Sequence, residues 1–176
     1  MWTIRHEQQA DAAGIERLVD VGFGPGRFAK TAYRLREGVA PDPRLSFVAE
    51  DQTPALLGSV RFWPVRIGQS QCLLLGPLAV EPKLRGRGIG IGLMQRGIEE
   101  AKALDYEAIV LVGDETYYAK VGFAKLPPGR IRFPGPVDPN RVLGLGLTAN
   151  ALVSLAGEVA RSRIDHPVSA QATNLG

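Results

Sequence analysis

The sequence has 176 residues, with 21 Lys and Arg against 18 Asp and Glu, a net charge of +3, 45% hydrophobic residues and one Cys. That length suits one domain able to bury most of its apolar surface, and so mild a charge argues against a sequence-blind nucleic-acid binder. A lone cysteine excludes an intramolecular disulfide; the first residues lack an apolar stretch of signal-peptide length; and the longest uncharged run, Arg141 to Glu158, is interrupted by Gly144, Gly146, Thr148, Asn150 and Ser154, short of the ~20 apolar residues of a membrane span. A soluble, cytoplasmic protein is expected.

In chain order, Trp2 and Ile4 alternate with Thr3 and Arg5 as in a short strand. Asp11 suits the cap of a helix carrying Ile15, Leu18, Val19 and Gly22, which ends at the run Gly22 to Gly26. A second helix is expected through Phe28, Ala32, Tyr33 and Leu35, stopped by Gly38. Leu45 to Glu50 and Leu56 to Val65 read as a hairpin joined by Asp51 to Pro54. Cys72 to Val80 is nearly all apolar, as in a central strand covered on both faces. Its Gly76-Pro77 marks a bulge or a break in pairing.

A long helix should begin near Gly88, with Gly90, Met94, Gly97, Ala101 and Leu104 on its apolar stripe. The strand Ala108 to Val112 follows, and strand, helix and strand form a βαβ unit with a parallel pair. A brief helix, Glu115 to Lys120, ends at Gly122. Beyond it the chain is rich in Pro and Gly, then offers a strand from Val142 to Leu147 with an expected partner near Glu158 to Ser162. The division is a single domain over 1–168, with a core motif at 73–123, an extension at 124–168 and a flexible tail at 169–176.

The chemistry concentrates between Leu78 and Gly90. Gly86, Gly88 and Gly90 precede an amphipathic helix, so the backbone can approach a ligand closely and the unpaired N–H groups of the first turn face it. With the positive end of the helix dipole and with Lys83, Arg85 and Arg87, this makes a site for a phosphate-bearing polyanion held mostly by main chain. A dinucleotide fingerprint fails at Ile91 and at Leu93, and no Gly-Lys-Ser or Gly-Lys-Thr exists for a Walker loop.

Arg85, Gly88 and Gly90 instead fill the pattern Arg/Gln-x-x-Gly-x-Gly/Ala. With the apolar strand ahead of it and Tyr118 to Phe123 behind the next strand, the sequence resembles the GNAT superfamily of acetyl-CoA-dependent N-acyltransferases. Leu75 to Val80, Gly113 to Tyr118 and Pro134 to Pro139 look like its bacterial YhbS-like branch. The resemblance implies an α/β (α+β) fold with a mostly antiparallel, twisted sheet, one splayed parallel strand pair and flanking helices. It implies that Leu78, Ala79 and Val80 pair with the pantetheine arm of acetyl-CoA. The Val80 amide would stabilise the oxyanion, and Arg85, Gly86, Arg87, Gly88, Ile89 and Gly90 would hold the pyrophosphate. Tyr118 would protonate the departing thiolate, with Tyr117 as the alternative donor. The activity implied is acetyl transfer to a primary amine, the acceptor being a small molecule or a protein, without a metal. The alternative is a non-catalytic CoA- or acyl-CoA-binding regulatory module.

Asp114 stands one turn before Tyr118, where the commoner family pattern has an Asn two turns before, and it also suits an N-cap. Glu50 and Glu81 are candidates for the general base, each also readable as a solvated carboxylate, with a water chain as the remaining route. His6 and His166 read as surface residues, and Cys72 as a small core residue. Phe23, Phe28, Tyr33, Phe62 and Trp63 either line the acceptor pocket or fill the core. Arg130, Arg132 and Arg141 either attract an acidic acceptor or solubilise their loop. Exposed apolar residues in the Gly- and Leu-rich C-terminal segment would make a homodimer unsurprising.

Overall fold

The computed structural model describes residues 1–24 and 30–162. Phe28 and His166, and the expected tail at 169–176, lie outside the described residues. The chain runs β1 (Thr3–His6), α1 (Ala12–Phe23), α2 (Thr31–Arg34), β2 (Ser46–Glu50), β3 (Gly58–Ile67), β4 (Ser70–Val80), α3 (Ile89–Ala103), β5 (Ala108–Val112), α4 (Glu115–Tyr118), β6 (Ala124–Lys125), β7 (Ile131–Arg132), β8 (Val142–Gly146), α5 (Ala151–Ser154) and β9 (Gly157–Arg161).

The strands form one sheet in the order β1-β2-β3-β4-β5-β8-β6, with β9 on the free part of β3 and β7 on β9. Its main path is antiparallel apart from β4 and β5, which run parallel with Cys72, Leu73 and Leu74 opposite Ala108, Ile109 and Val110. A βαβ crossover through α3 makes that pair. The mixed, mostly antiparallel fold with its parallel β4 and β5 matches the expectation, and β7 and β9 add a short second parallel pair off the main path.

The expected pairing of the last two strands is overturned. Val142–Gly146 pairs with β5 and β6, whereas Gly157–Arg161 pairs with β3 and β7. The reason is room at an edge. β2 covers β3 only from Gly58 to Arg61, so Val65 to Ile67 keep an open ladder, which β9 fills. The 124–162 region is thereby woven into the sheet, and its leucines serve the core: Leu143 and Leu155 are buried, while Val153 stays exposed.

The two faces of the sheet carry separate packing. Ile89, Leu93, Met94, Ile98 and Ala101 of α3 pack on Phe47, Val60, Phe62, Leu73, Leu75 and Leu111. Gly97 lets the helix close onto the sheet, because a Cβ there would collide with the Phe62 ring. On the other face Ile15, Leu18 and Val19 of α1 cover Val48, Leu56 and Ala79, while Trp63, Val65, Leu74 and Val110 join the C-terminal strands. Asp11 precedes α1 as expected but does not cap it with its side chain. Its carboxylate accepts from the Gln8 N–H at 2.7 Å and binds the Arg5 guanidinium at 2.7 and 3.0 Å.

The bulge foreseen at Gly76-Pro77 positions the functional region. Val60 faces Leu78 and Phe62 faces Leu75, so two β4 residues oppose the single Arg61. One extra residue inverts the alternation: Leu73 and Leu75 face α3 before the bulge, Leu78 and Val80 after it. The Gly76-Pro77 peptide is cis. The Trp63 indole N–H donates to the Gly76 carbonyl at 2.5 Å, which satisfies an acceptor displaced from the ladder.

Candidate active site

Pairing between β4 and β5 stops at Leu74 and Val110, just before the bulge, while β5 continues to Val112 along β8. The strands splay there, leaving one side of β4 without a partner strand. Glu81 donates its N–H to Leu57 on the β3 side at 2.8 Å. By the period of two, Ala79 turns its backbone groups to β3 as well, and Leu78 and Val80 turn theirs into the opening.

A cleft of about 420 Å³ fills that opening, lined by Leu78, Ala79 and Val80, by Arg85, Gly86, Gly88, Ile89 and Gly90, and by Tyr117, Tyr118 and Lys120. Gly86 and Gly88 have φ of +80° and +85°, so the turn itself requires glycine although open space surrounds both. Gly88 stands at the N-cap of α3 without a side-chain cap, leaving first-turn N–H groups available. Gly90 is needed for a different reason: a Cβ there would collide with the Tyr117 hydroxyl. Of the predicted cations only Arg85 lines the cleft. Lys83 and Arg87 stand outside it, and Lys120, which the sequence reading missed, joins Arg85 from α4's continuation. Lys120 lies three residues after Tyr117, and its Nζ stands 5.4 Å from that ring.

Tyr118 lies where this cleft meets a second one of about 340 Å³, the two sharing Phe23, Leu78 and Tyr118. Its ring packs edge-on against Tyr117 and Phe123, with centroids 5.2 and 6.0 Å away, and closely over Gly113. Asp114 caps α4 by accepting from the Tyr117 N–H at 3.2 Å, which fixes the short helix. Burial pushes the Tyr118 phenol up to about 12 and the Tyr117 phenol up in the same direction. Tyr117 lines the first cleft alone; Tyr118 faces both.

The second cleft is floored by Ile15, Val19, Trp63, Leu75 and Pro77 and bordered by Tyr33 and Arg36. Phe23, Tyr33 and Trp63 therefore line it, whereas Phe62 is fully buried under α3. Glu50 binds Arg5 at 2.9 Å and Glu81 binds Arg17 at 3.1 Å, and neither lines either cleft. The acids that do border the second cleft are Glu16 and Glu37, which the sequence reading did not single out. Arg130, Arg132 and Arg141 line neither. His6 stacks on Phe47 with Nδ1 3.1 Å from the Pro43 carbonyl oxygen. Cys72 is buried and its thiol pushed up to about 12 by that burial, so it is an inert core residue. Among the described residues no group of three or more His, Cys, Asp and Glu stands together as a metal site, and no helix is long and apolar enough to cross a membrane.

A splayed parallel pair, a bulged strand and a glycine turn at a helix N-terminus define an acyl-CoA-type transferase fold, and residues 13–126 match the model of the Acetyltransferase (GNAT) family. The chain belongs to that family. It is 35% identical over 136 residues to the protein described as uncharacterized N-acetyltransferase YhbS of Escherichia coli strain K12, spanning 75% of this chain and 80% of that one. The crystal structure of Escherichia coli YhbS in complex with CoA superposes with a TM-score of 0.75 and 32% identity over 92% of this chain and 89% of the other. A GNAT family acetyltransferase from Brucella melitensis in complex with acetyl-CoA gives 0.68 and 27%, over 92% and 96%.

Proposed function

We propose that this protein transfers the acetyl group of acetyl-CoA to a primary amine by direct attack in a ternary complex. The observation that carries the reading is the junction of two clefts at Leu78 and Tyr118, one suited to a phosphate-bearing arm and the other to an acceptor. Acetyl-CoA supplies an activated thioester. In this reading the turn from Arg85 to Gly90 and the N-terminus of α3 hold the pyrophosphate, as helix N-termini hold anions. The cleft-facing groups of Leu78 and Val80 pair with the pantetheine arm like an added strand, and Ala79 contributes to the wall. The Val80 N–H stabilises the negative charge that develops on the carbonyl oxygen.

Tyr118 then protonates the sulfur as the C–S bond breaks and the C–N bond forms, and the amine proton leaves to water. A phenol pushed up to about 12 keeps its proton through the neutral range. It yields that proton to a thiolate made more basic by the same dry surroundings. Tyr118 is favoured over Tyr117 because it faces both clefts, while the Tyr117 hydroxyl packs at Gly90. The compartment this cosubstrate implies is the cytoplasm.

Release of CoA thiol, followed with a thiol reagent across a panel of amines, tests the reading; no protein-dependent release overturns it. The loop assignment is tested by Gly88→Asp against Gly129→Asp. Both sites have positive φ and open surroundings, but only the first lies at the cleft, so only the first should lose CoA binding. A non-catalytic CoA-binding module draws support from Glu50 and Glu81 lying away from both clefts. Tight CoA binding with no acetyl loss, unchanged in Tyr118→Phe, would establish that module instead.

A further inference from the structure

Arg36 is the acceptor-cleft residue that transfer to an unspecified amine leaves without a role. It follows α2, its Nε donates to the Ala32 carbonyl at 3.3 Å, and its Cζ lies 5.9 Å from the Tyr33 ring centroid. Its Nη1 reaches the β4 bulge, 3.7 Å from where a side chain on Gly76 would begin. No carboxylate among the described residues forms an ion pair with it. Burial pushes the guanidinium down to about 10, opposed by Tyr33 and reinforced by Arg61. Arg61 itself is held by Glu7 through bonds of 2.8 and 2.6 Å. Glu16 and Glu37 border the cleft but are exposed. Arg36 is thus a desolvated surplus cation whose free N–H groups match the geometry of a carboxylate.

We infer that the acceptor is a small amine that also carries a carboxylate, which Arg36 binds while the amine is directed to Leu78 and Tyr118. This deepens the acetyl-transfer reading and rests on it. Gly76 and Leu78 are two residues apart along β4, a span of at most about 7 Å. A carboxylate and an amine one or a few carbons apart, each adding about 3 Å of hydrogen-bond reach, cover that span. The apolar floor of Ile15, Val19, Trp63, Leu75 and Pro77 accepts an apolar side chain. The substrate class is therefore an amino acid with an apolar side chain, and not a polyamine, whose second cation would meet Arg36.

The test is calorimetric titration of the full chain, loaded with CoA, using matched pairs: leucine against 3-methylbutylamine, and phenylalanine against 2-phenylethylamine. The acid of each pair should bind about tenfold or more tightly, as expected of a charge-assisted, bidentate contact. Arg36→Gln should erase the difference and Arg36→Lys restore part of it, with CoA affinity unchanged in both. Acids binding no tighter than their decarboxylated partners, or a preference that survives Arg36→Gln, overturns the inference. The wild-type comparison decides by itself if a variant loses CoA binding. Acid preference without any thiol release would defeat acetyl transfer and keep the Arg36 assignment; thiol release without acid preference would do the reverse.

Discussion

Tyr118 is held by its neighbours on several sides: Tyr117 and Phe123 meet its ring edge-on, Gly113 lies against it, and Asp114 fixes the turn it ends. Replacing it with Phe removes one hydroxyl from a position already fixed by packing. Tyr118→Phe should lower kcat by about 10²-fold or more, the range for a lost general acid, with acetyl-CoA affinity unchanged by titration. A phenol raised to about 12 stays protonated below that value, so kcat in the wild type should rise with pH as the amine deprotonates and show no fall up to pH 10. Asp11 titrates at the opposite end. Its hydrogen bond with Arg5 holds the carboxyl below its ordinary value. Such a group adds stability that is complete above the unfolded pKa and lost as pH falls through the folded one. Asp11→Asn should therefore cost about 1–2 kcal/mol at pH 7 and progressively less below about pH 4, measured by urea unfolding. At this scale the sequence exposed Asp114 as a cap, because capping is local chemistry. It did not expose Arg36 or Lys120, whose roles depend on a bulge and a cleft built by distant residues.

The bulge in β4 decides which side chains face α3. Its glycine and proline were visible as ladder-breaking residues, but the inversion of faces follows only from the register against β3. The Trp63 indole ties the displaced Gly76 carbonyl across the bulge. Trp63→Phe should cost about 1 kcal/mol for the lost hydrogen bond and weaken acceptor binding more than CoA binding, read by paired titrations. On the opposite face α3 approaches the sheet through Gly97, seated on the Phe62 ring. Gly97→Ala should destabilise by about 1–3 kcal/mol as overpacking, despite alanine's better helix propensity; a stabilised variant in urea would contradict the packing. The helix itself was legible from its stripe of small and apolar residues, since periodicity follows from burial. The partners of β8 and β9 were not, because any open edge of suitable register can accept a strand, and β2 happens to be too short to cover β3.

For the whole molecule, ligand linkage gives the broadest check. CoA at about 100 times its Kd should stabilise by about 2.7 kcal/mol, a rise in Tm of about 5–10 °C for a chain of this size, and Gly88→Asp should remove most of it. Of the three bases around the glycines, Lys83, Arg85 and Arg87, only Arg85 lines the cleft, joined there by Lys120. By itself the sequence determined the order and type of the main elements, the glycine turn ahead of α3 and the tyrosine word behind β5. Those are set by backbone sterics and by periodic burial over neighbouring residues. The tertiary structure alone decided where β4 parts from β5, which edge receives β9 and which cations face each cleft. Register, edge vacancy and desolvation are properties of segments brought together from distant parts of the chain.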